Sequence, residues 1–132
     1  MGGAEFWGKA PSLDDLQTIA ANAFRSLPEE FRSLCGDVPL VVQDFPDDDV
    51  VLEMELDSPF EILGLFQGPT LAERDVITIP YQTMIFLYRR PILDYWAEND
   101  ETLPTVIRHV LIHEIGHHFG LSDADMDRIE RA

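Results

Sequence analysis

The chain has 132 residues, of which 45% are apolar, and this predicts one globular domain with its own hydrophobic core. Its single cysteine, Cys35, excludes an internal disulfide framework. The formal net charge of −16, from 25 acidic against 9 basic residues, creates a field that repels nucleic acid and anionic membrane surfaces.

Residues 1–11 contain three glycines and predict a flexible leader, which is followed by a single domain over residues 12–132. The leader lacks the apolar run of a signal peptide, and no stretch approaches the ~18 consecutive apolar residues of a membrane span. We therefore expect a cytoplasmic protein that associates with neither membranes nor nucleic acid. No feature of the sequence indicates an oligomeric state.

The first predicted element is a helix with Ser12 as its N-cap. Asp14 and Asp15 support this helix start, because acidic side chains are favourable near the positive end of the helix dipole. Apolar residues then recur at helical spacing as far as Leu27. Pro28 predicts the first turn of a second, short helix that ends near Gly36.

Strands are predicted in the middle of the chain. Val38–Asp44 is an apolar run, and Val50–Leu56 alternates apolar and acidic residues, which is typical of a half-buried strand. Val76–Ile79 and Met84–Tyr88 predict two further strands, joined as a hairpin, whereas Gly64–Gly68 indicates an irregular strand or loop. Helices around a sheet of about four strands give an α+β fold.

Three helices are predicted in the last third of the chain. A short one spans Ile92–Glu98, and a long central helix begins at a cap formed by Thr102 or Asp100, with Pro104 in its first turn. The central helix is apolar around most of its circumference, which indicates a buried helix. Ser122 predicts the cap of a last helix.

The central helix carries an H-E-x-x-H pattern at His113, Glu114 and His117. Residues four apart lie about 6 Å apart along a helix axis and about 40° apart around it, so both imidazoles share one face. This placement suits two ligands of one zinc ion, roughly 2.0–2.1 Å from the metal. Glu114 flanks the pair and can act as general base toward a metal-activated water.

A third ligand is expected after the helix ends. Gly120 predicts a left-handed residue that turns the chain back toward the metal, and Asp123 follows at the spacing H-x-x-x-H-x-x-G-x-x-D. A carboxylate is an accepted zinc ligand, so Asp123 is the first choice and Asp125 and Glu130 are the alternatives.

The remaining histidines fit the metal less well. His109, His113 and His117 span about 12 Å along the helix, so they cannot all converge on one ion. His118 points about 100° away from His117 around the helix. Neither His109 nor His118 is therefore predicted as a ligand.

The stretch HEIGHHFGLSDADM resembles the small zincin-like metallopeptidase family. ILGLFQG (Ile62–Gly68) and FLYRRPI (Phe86–Ile92) are also similar to blocks of that family, so the resemblance runs from Ser58 to Met126. It implies a compact, minimal zincin-like fold: a small twisted mixed sheet packed on the N-terminal helix and the central helix.

The resemblance also implies one Zn²⁺ per chain, bound by His113, His117 and Asp123, with Glu114 as catalytic base. The expected activity is peptide-bond hydrolysis on a peptide or protein substrate. Met126 follows the third-ligand position, and we expect it to pack in the core rather than to lie beneath the metal.

Zincins bind substrate in an extended conformation along a sheet edge near the metal helix. Met84–Tyr88 is our candidate for this edge, with Met84, Phe86 and Tyr88 as substrate-binding residues. The alternative is a strand of the core. Arg89 and Arg90 are conspicuous in so acidic a chain and are candidates to hold the third ligand or a substrate carboxylate.

Two other functions compete with hydrolysis of peptides. A metal-dependent endoribonuclease of the ribosomal-RNA maturation type shares the H-x-x-x-H-x-x-G spacing, but it has H-G-x-x-H, and Glu114 and the acidic charge argue against it. A non-catalytic domain that binds zinc and peptides is the other alternative. Cleavage of unstructured peptides separates this binding domain from a peptidase.

Overall fold

The computed structural model describes residues 9–68 and 83–132, and these contain six helices and three strands. The helices are α1 (Leu13–Arg25), α2 (Glu29–Arg32), α3 (Asp48–Glu53), α4 (Arg89–Glu98), α5 (Leu103–His118) and α6 (Asp123–Arg131). The strands are β1 (Leu40–Gln43), β2 (Gly64–Gln67) and β3 (Met84–Tyr88).

The three strands form one mixed sheet in the order β1-β3-β2. β1 runs parallel to β3, with Leu40 opposite Ile85, and β2 runs antiparallel to β3, with Gly64 opposite Leu87. The predicted α+β fold is confirmed, with three strands in the described part of the chain. The predicted strand Val76–Ile79 lies outside the described residues.

The predicted cap of α1 is confirmed. The Ser12 hydroxyl accepts a hydrogen bond from the Asp15 backbone N–H at 3.1 Å, and the Asp15 carboxylate accepts one from the Ser12 backbone N–H at 2.9 Å. These reciprocal bonds satisfy two of the donors that a helix start leaves unpaired. The apolar face of α1, with Leu16 and Ala20 fully buried, then packs against β1 and α5.

The strand predicted at Val50–Leu56 is wrong, because the first part of this stretch belongs to α3. Acidic side chains at Asp48 and Asp49 occupy the first turn of α3, where the helix dipole favours them. Leu52 is 76% exposed, so the alternation of apolar and acidic residues does not reflect burial on one face of a sheet.

The predicted central helix α5 is confirmed. The Thr102 hydroxyl accepts from the Thr105 backbone N–H at 3.2 Å, and proline occupies the first turn. α5 packs against α1, β2, α4 and α6. Its buried residues are Leu103, Val106, Ile107, Val110, Leu111, Ile112, Ile115 and Gly116.

The turn between α5 and α6 has the predicted left-handed glycine. Gly120 has φ of +73°, the Leu121 N–H donates to the Gly116 carbonyl at 2.8 Å, and the Gly120 N–H donates to the His117 carbonyl at 3.2 Å. These two bonds form a Schellman motif. The turn sends α6 back across α5.

Met126 fills the space between these two helices. It is completely buried, as expected for a packing residue, and its Sδ would collide with a Cβ added at Gly116. Glycine at this position therefore lets α6 approach the backbone of α5. None of the helices within residues 9–68 and 83–132 is long and apolar enough to cross a membrane.

The variant Gly116→Ala should destabilise the fold by about 1–3 kcal/mol, because the added methyl overpacks the space that Met126 occupies. Urea unfolding of chelator-treated protein measures this change. In a Met126→Ala background the same substitution should cost less, because the colliding side chain is gone. Equal costs in both backgrounds would show that Gly116 is not needed for contact with Met126.

Candidate metal centre

The carboxylate of Glu130 on α6 contacts two histidines of α5. Glu130 Oε2 lies 3.0 Å from His109 Nδ1, and Glu130 Oε1 lies 2.9 Å from His113 Nε2. The two imidazole rings lie 4.0 Å apart between centroids. The three side chains keep 43% (His109), 31% (His113) and 29% (Glu130) of their surface exposed, so solvent reaches the cluster.

Arg108 fixes the end of α6 beside these histidines. Its guanidinium donates to the backbone carbonyls of Glu130 at 2.8 Å and Ile129 at 3.1 Å, which lie in the last turn of the helix. Burial alone would raise the pKa of the Glu130 carboxyl. The hydrogen bonds and charges of His109 and His113 outweigh burial and hold this pKa below its ordinary value.

His113 and His117 lie next to each other on α5, as their spacing predicts. Their ring centroids are 5.6 Å apart, with the rings nearly perpendicular. His117 is exposed, and Asp123 is exposed at the first residue of α6. Asp123 and His113 line one cavity of about 590 Å³.

The predicted ligands His113, His117 and Asp123 are not all brought within ligating distance of one another. Among residues 9–68 and 83–132, the single set of three ligating side chains whose donor atoms lie within 4.8 Å of each other is His109, His113 and Glu130. The predicted set thus shares His113 with the set that the structure brings together.

The predicted site leaves out His109, because three histidines spread over about 12 Å of helix cannot all converge on one ion. The sequence nevertheless carries a signal for it, since His109 and His113 are four residues apart, as are His113 and His117. This spacing alone does not predict the cluster, because its third member, Glu130, reaches the two histidines only through the packing of α6 on α5.

Three other candidates from the sequence, Asp125, Arg89 and Arg90, do not line the cavity that contains His113 and Asp123. Asp125 forms an ion pair with Arg128 and lines a different cavity, beside Phe31. Arg89 donates to the Pro11 carbonyl at 2.6 Å and to Asp44 at 3.0 Å. Its expected contact with Asp123 is therefore not found. Arg90 lies over a phenylalanine ring of the β1–α3 connection.

Glu114 lies in a different environment from the exposed acids of the cavity. Burial raises the pKa of its carboxyl to about 7. The pKa of Tyr88 is raised to about 12 by burial and by the charges of Asp47 and Glu114. Glu114 is therefore within electrostatic range of the end of β3.

The expectation that Met84–Tyr88 forms a free sheet edge is wrong, because this strand, β3, is paired on both sides. Tyr88 is only 1% exposed and offers little surface to a substrate, whereas Met84 and Phe86 are half-buried. Among the described strands, β2 packs against α5, and its Phe66 ring lies 4.1 Å from that of His118 in the last turn of the helix.

The donor atoms in this region fit a zinc ion. Imidazole nitrogens and carboxylate oxygens are zinc ligands, and α5 and α6 supply both kinds to one acidic, solvent-accessible cavity. The cavity also contains the carboxylates of Glu101 and Asp127, which favour a cation.

Comparison with known protein families gives a match. The model of a family described as zincin-like metallopeptidase matches residues 35–132, well over half of the chain. This range includes β1, β2, β3 and the helices that carry the histidines and carboxylates. No curated protein matches the chain.

The titration of Glu114 should appear in the stability of chelator-treated protein. Its folded-state pKa of about 7 exceeds the ordinary value of 4.5, so the folded state holds the proton more tightly. This stabilisation is complete below pH ~4.5 and is lost as the pH rises through about 7. Between about pH 5 and pH 8 the parent should lose roughly 2 kcal/mol relative to Glu114→Gln.

Urea unfolding at several pH values measures this difference. The control is Glu53→Gln, because it removes an exposed carboxylate of α3 and leaves Glu114 in place. If the parent and Glu114→Gln show the same pH dependence, Glu114 has an ordinary pKa.

Proposed function

This chain belongs to the family of zincin-like metallopeptidases, and from that premise we propose that it hydrolyses peptide bonds with one zinc ion per chain. In this proposal His113, His117 and Asp123 hold the metal, and Glu114 is the general base. The substrate is a peptide or a flexible segment of a protein.

The environment of Glu114 is the observation that carries the proposal. A general base works best when its pKa lies near the working pH, and burial raises the pKa of this carboxyl to about 7. The residue also stands directly beside His113 in the helix. A carboxylate of raised pKa next to a metal-ligand pair matches the chemistry of water activation.

The proposed ligands are supported by their positions. His113 and His117 share one side of α5, and Asp123 stands at the start of α6 in the cavity that His113 lines. Bound zinc would supply Lewis-acid chemistry there, activating a water molecule and polarising the peptide carbonyl.

In this proposal the proton transfers are carried out by a side chain of the protein. Glu114 accepts the proton of the attacking water and then donates it to the leaving amine. The raised pKa belongs to the metal-free protein, and the charge of bound zinc would favour the ionised carboxylate, which is the form that accepts a proton. Tyr88, with its pKa raised to about 12, stays protonated and adds no charge near Glu114.

We propose β2 in place of β3 as the strand that binds substrate. Within the described part of the chain, β2 has a paired neighbour on one side only, and it packs against α5. An extended peptide could add to the other side by backbone hydrogen bonds. The net charge of −16 favours neutral or basic peptides over acidic ones.

The variant Glu114→Gln should keep its zinc and lose hydrolysis, because the amide fills the same space but cannot take a proton. The rate of peptide cleavage should fall by about 10²–10⁴-fold. Metal content and cleavage of a panel of unstructured peptides are measured together, with Glu53→Gln, which removes an exposed carboxylate of α3, as the control. Full activity in Glu114→Gln would remove this residue from the mechanism.

The same assay tests the non-catalytic alternative. A parent protein that binds zinc and retains peptides, but cleaves none of the panel, would be a zinc- and peptide-binding domain. A parent that cleaves peptides only while zinc is bound supports the proposed function.

The third ligand is tested by comparing two carboxylates of one cavity at saturating zinc. Asp123→Asn should lower the rate of cleavage at least about tenfold, since even outer-shell partners of zinc ligands contribute that much. Glu130→Gln should retain the activity. The opposite result would transfer the role of third ligand from Asp123 to Glu130.

A further inference from the structure

We infer that His109, His113 and Glu130 form a second binding site for a divalent transition metal, alternative to the proposed catalytic site. The two sites share His113. The binding part of this inference stands on the geometry of the cluster, whereas its consequence for catalysis rests on the proposed function.

The three side chains already present their donor atoms to one point. Glu130 reaches His109 Nδ1 and His113 Nε2 at 3.0 and 2.9 Å, and one donor atom from each residue lies within 4.8 Å of the others. These hydrogen bonds require ring protons, which a metal ion replaces when it binds. The ring nitrogens and the carboxylate oxygen would then bind the metal ion instead of forming hydrogen bonds with each other.

The surrounding structure supports a site rather than a chance contact. Arg108 binds the last carbonyls of α6 and so fixes the backbone that carries Glu130, while both histidines stand on the anchored helix α5. The side chains are about one-third exposed, so an ion can enter from solvent. Glu101 and Asp127 add negative charge to the same cavity.

The chemical types of the three ligands determine which metal ions can bind. Two imidazoles and one carboxylate suit zinc, cobalt or nickel, and they do not suit magnesium or calcium, which prefer sets of oxygen ligands. Three protein ligands leave one tetrahedral position for water. The expected occupant is therefore an exchangeable zinc-type ion.

The two sites cannot hold a metal ion at the same time, because both need His113. Its Nε2 faces Glu130 in this arrangement, and a nitrogen lone pair binds a single ion. A metal held with His109 and Glu130 thus leaves His117 and Asp123 without their common partner. The second site would hold zinc in a state without peptidase activity.

The binding test uses a background variant, His117→Ala/Asp123→Asn, that removes the proposed catalytic ligands but keeps the second set. Zinc titration by calorimetry of chelator-treated protein should show one ion per chain. Adding His109→Ala or Glu130→Gln should weaken zinc binding at least about tenfold, since loss of a direct ligand should cost no less than loss of an outer-shell partner. Adding Glu53→Gln, which removes an exposed carboxylate of α3 outside this cavity, should change it less than twofold.

The spectrum of bound Co²⁺ gives a second readout. In the background variant it should show the coordination of a nitrogen- and oxygen-ligated ion, and it should change when His109 or Glu130 is replaced. Zinc affinity and Co²⁺ spectra that are insensitive to both replacements would overturn the inference, as would a background variant that binds neither metal. Two zinc ions per chain in the saturated parent would overturn the sharing of His113.

A failure of the second-site inference can be told apart from a failure of the proposed peptidase function. A parent without peptidase activity leaves the titrations valid, and a background variant without zinc affinity leaves the assays of Glu114→Gln valid. In the parent, Glu130→Gln should give equal or higher peptidase activity per bound zinc. Loss of that activity would assign Glu130 to the catalytic set and would overturn the second site.

Discussion

The docking of α6 across the end of α5 is the contact on which the candidate site depends. Gly116 leaves room for Met126 between the two helices, and the left-handed residue Gly120 turns the chain into that position. As a result, both ends of α6 bring a carboxylate to the cavity that His109 and His113 line, Asp123 at its start and Glu130 in its last turn. A substitution that separates the helices would remove both carboxylates from the histidines at once.

The helical period explains why this helix offers more than one way to bind a metal. His109, His113 and His117 are spaced four residues apart, so they form two overlapping pairs with His113 in common. The full span of about 12 Å prevents all three from binding one ion. The position of the nearest carboxylate therefore decides which pair is completed, and in this arrangement Glu130 completes the pair His109 and His113.

Features set by neighbouring residues were predictable from the sequence, and features set by distant partners were not. The cap at Ser12 and the turn at Gly120 follow from the conformations of a few adjacent residues. The alternation in Val50–Leu56 predicted a strand in a stretch whose first part belongs to a helix, α3, and the central place of β3 depends on pairing with two distant segments. The contacts of Glu130 join residues 17 and 21 positions apart, through the packing of α6 on α5.

The burial of Glu114 links the stability of the fold to the proposed chemistry. A helix anchored by so many apolar side chains places its polar residues at the boundary of the core, where a carboxylate is costly to ionise. Raising the pKa from 4.5 to about 7 increases the affinity of the carboxyl for a proton by roughly 300-fold. The same burial that lowers the stability of the fold at neutral pH therefore makes this carboxylate, our proposed general base, more basic. An exposed carboxylate on the same helix would cost no stability, but it would also be too weak a base for this reaction near pH 7.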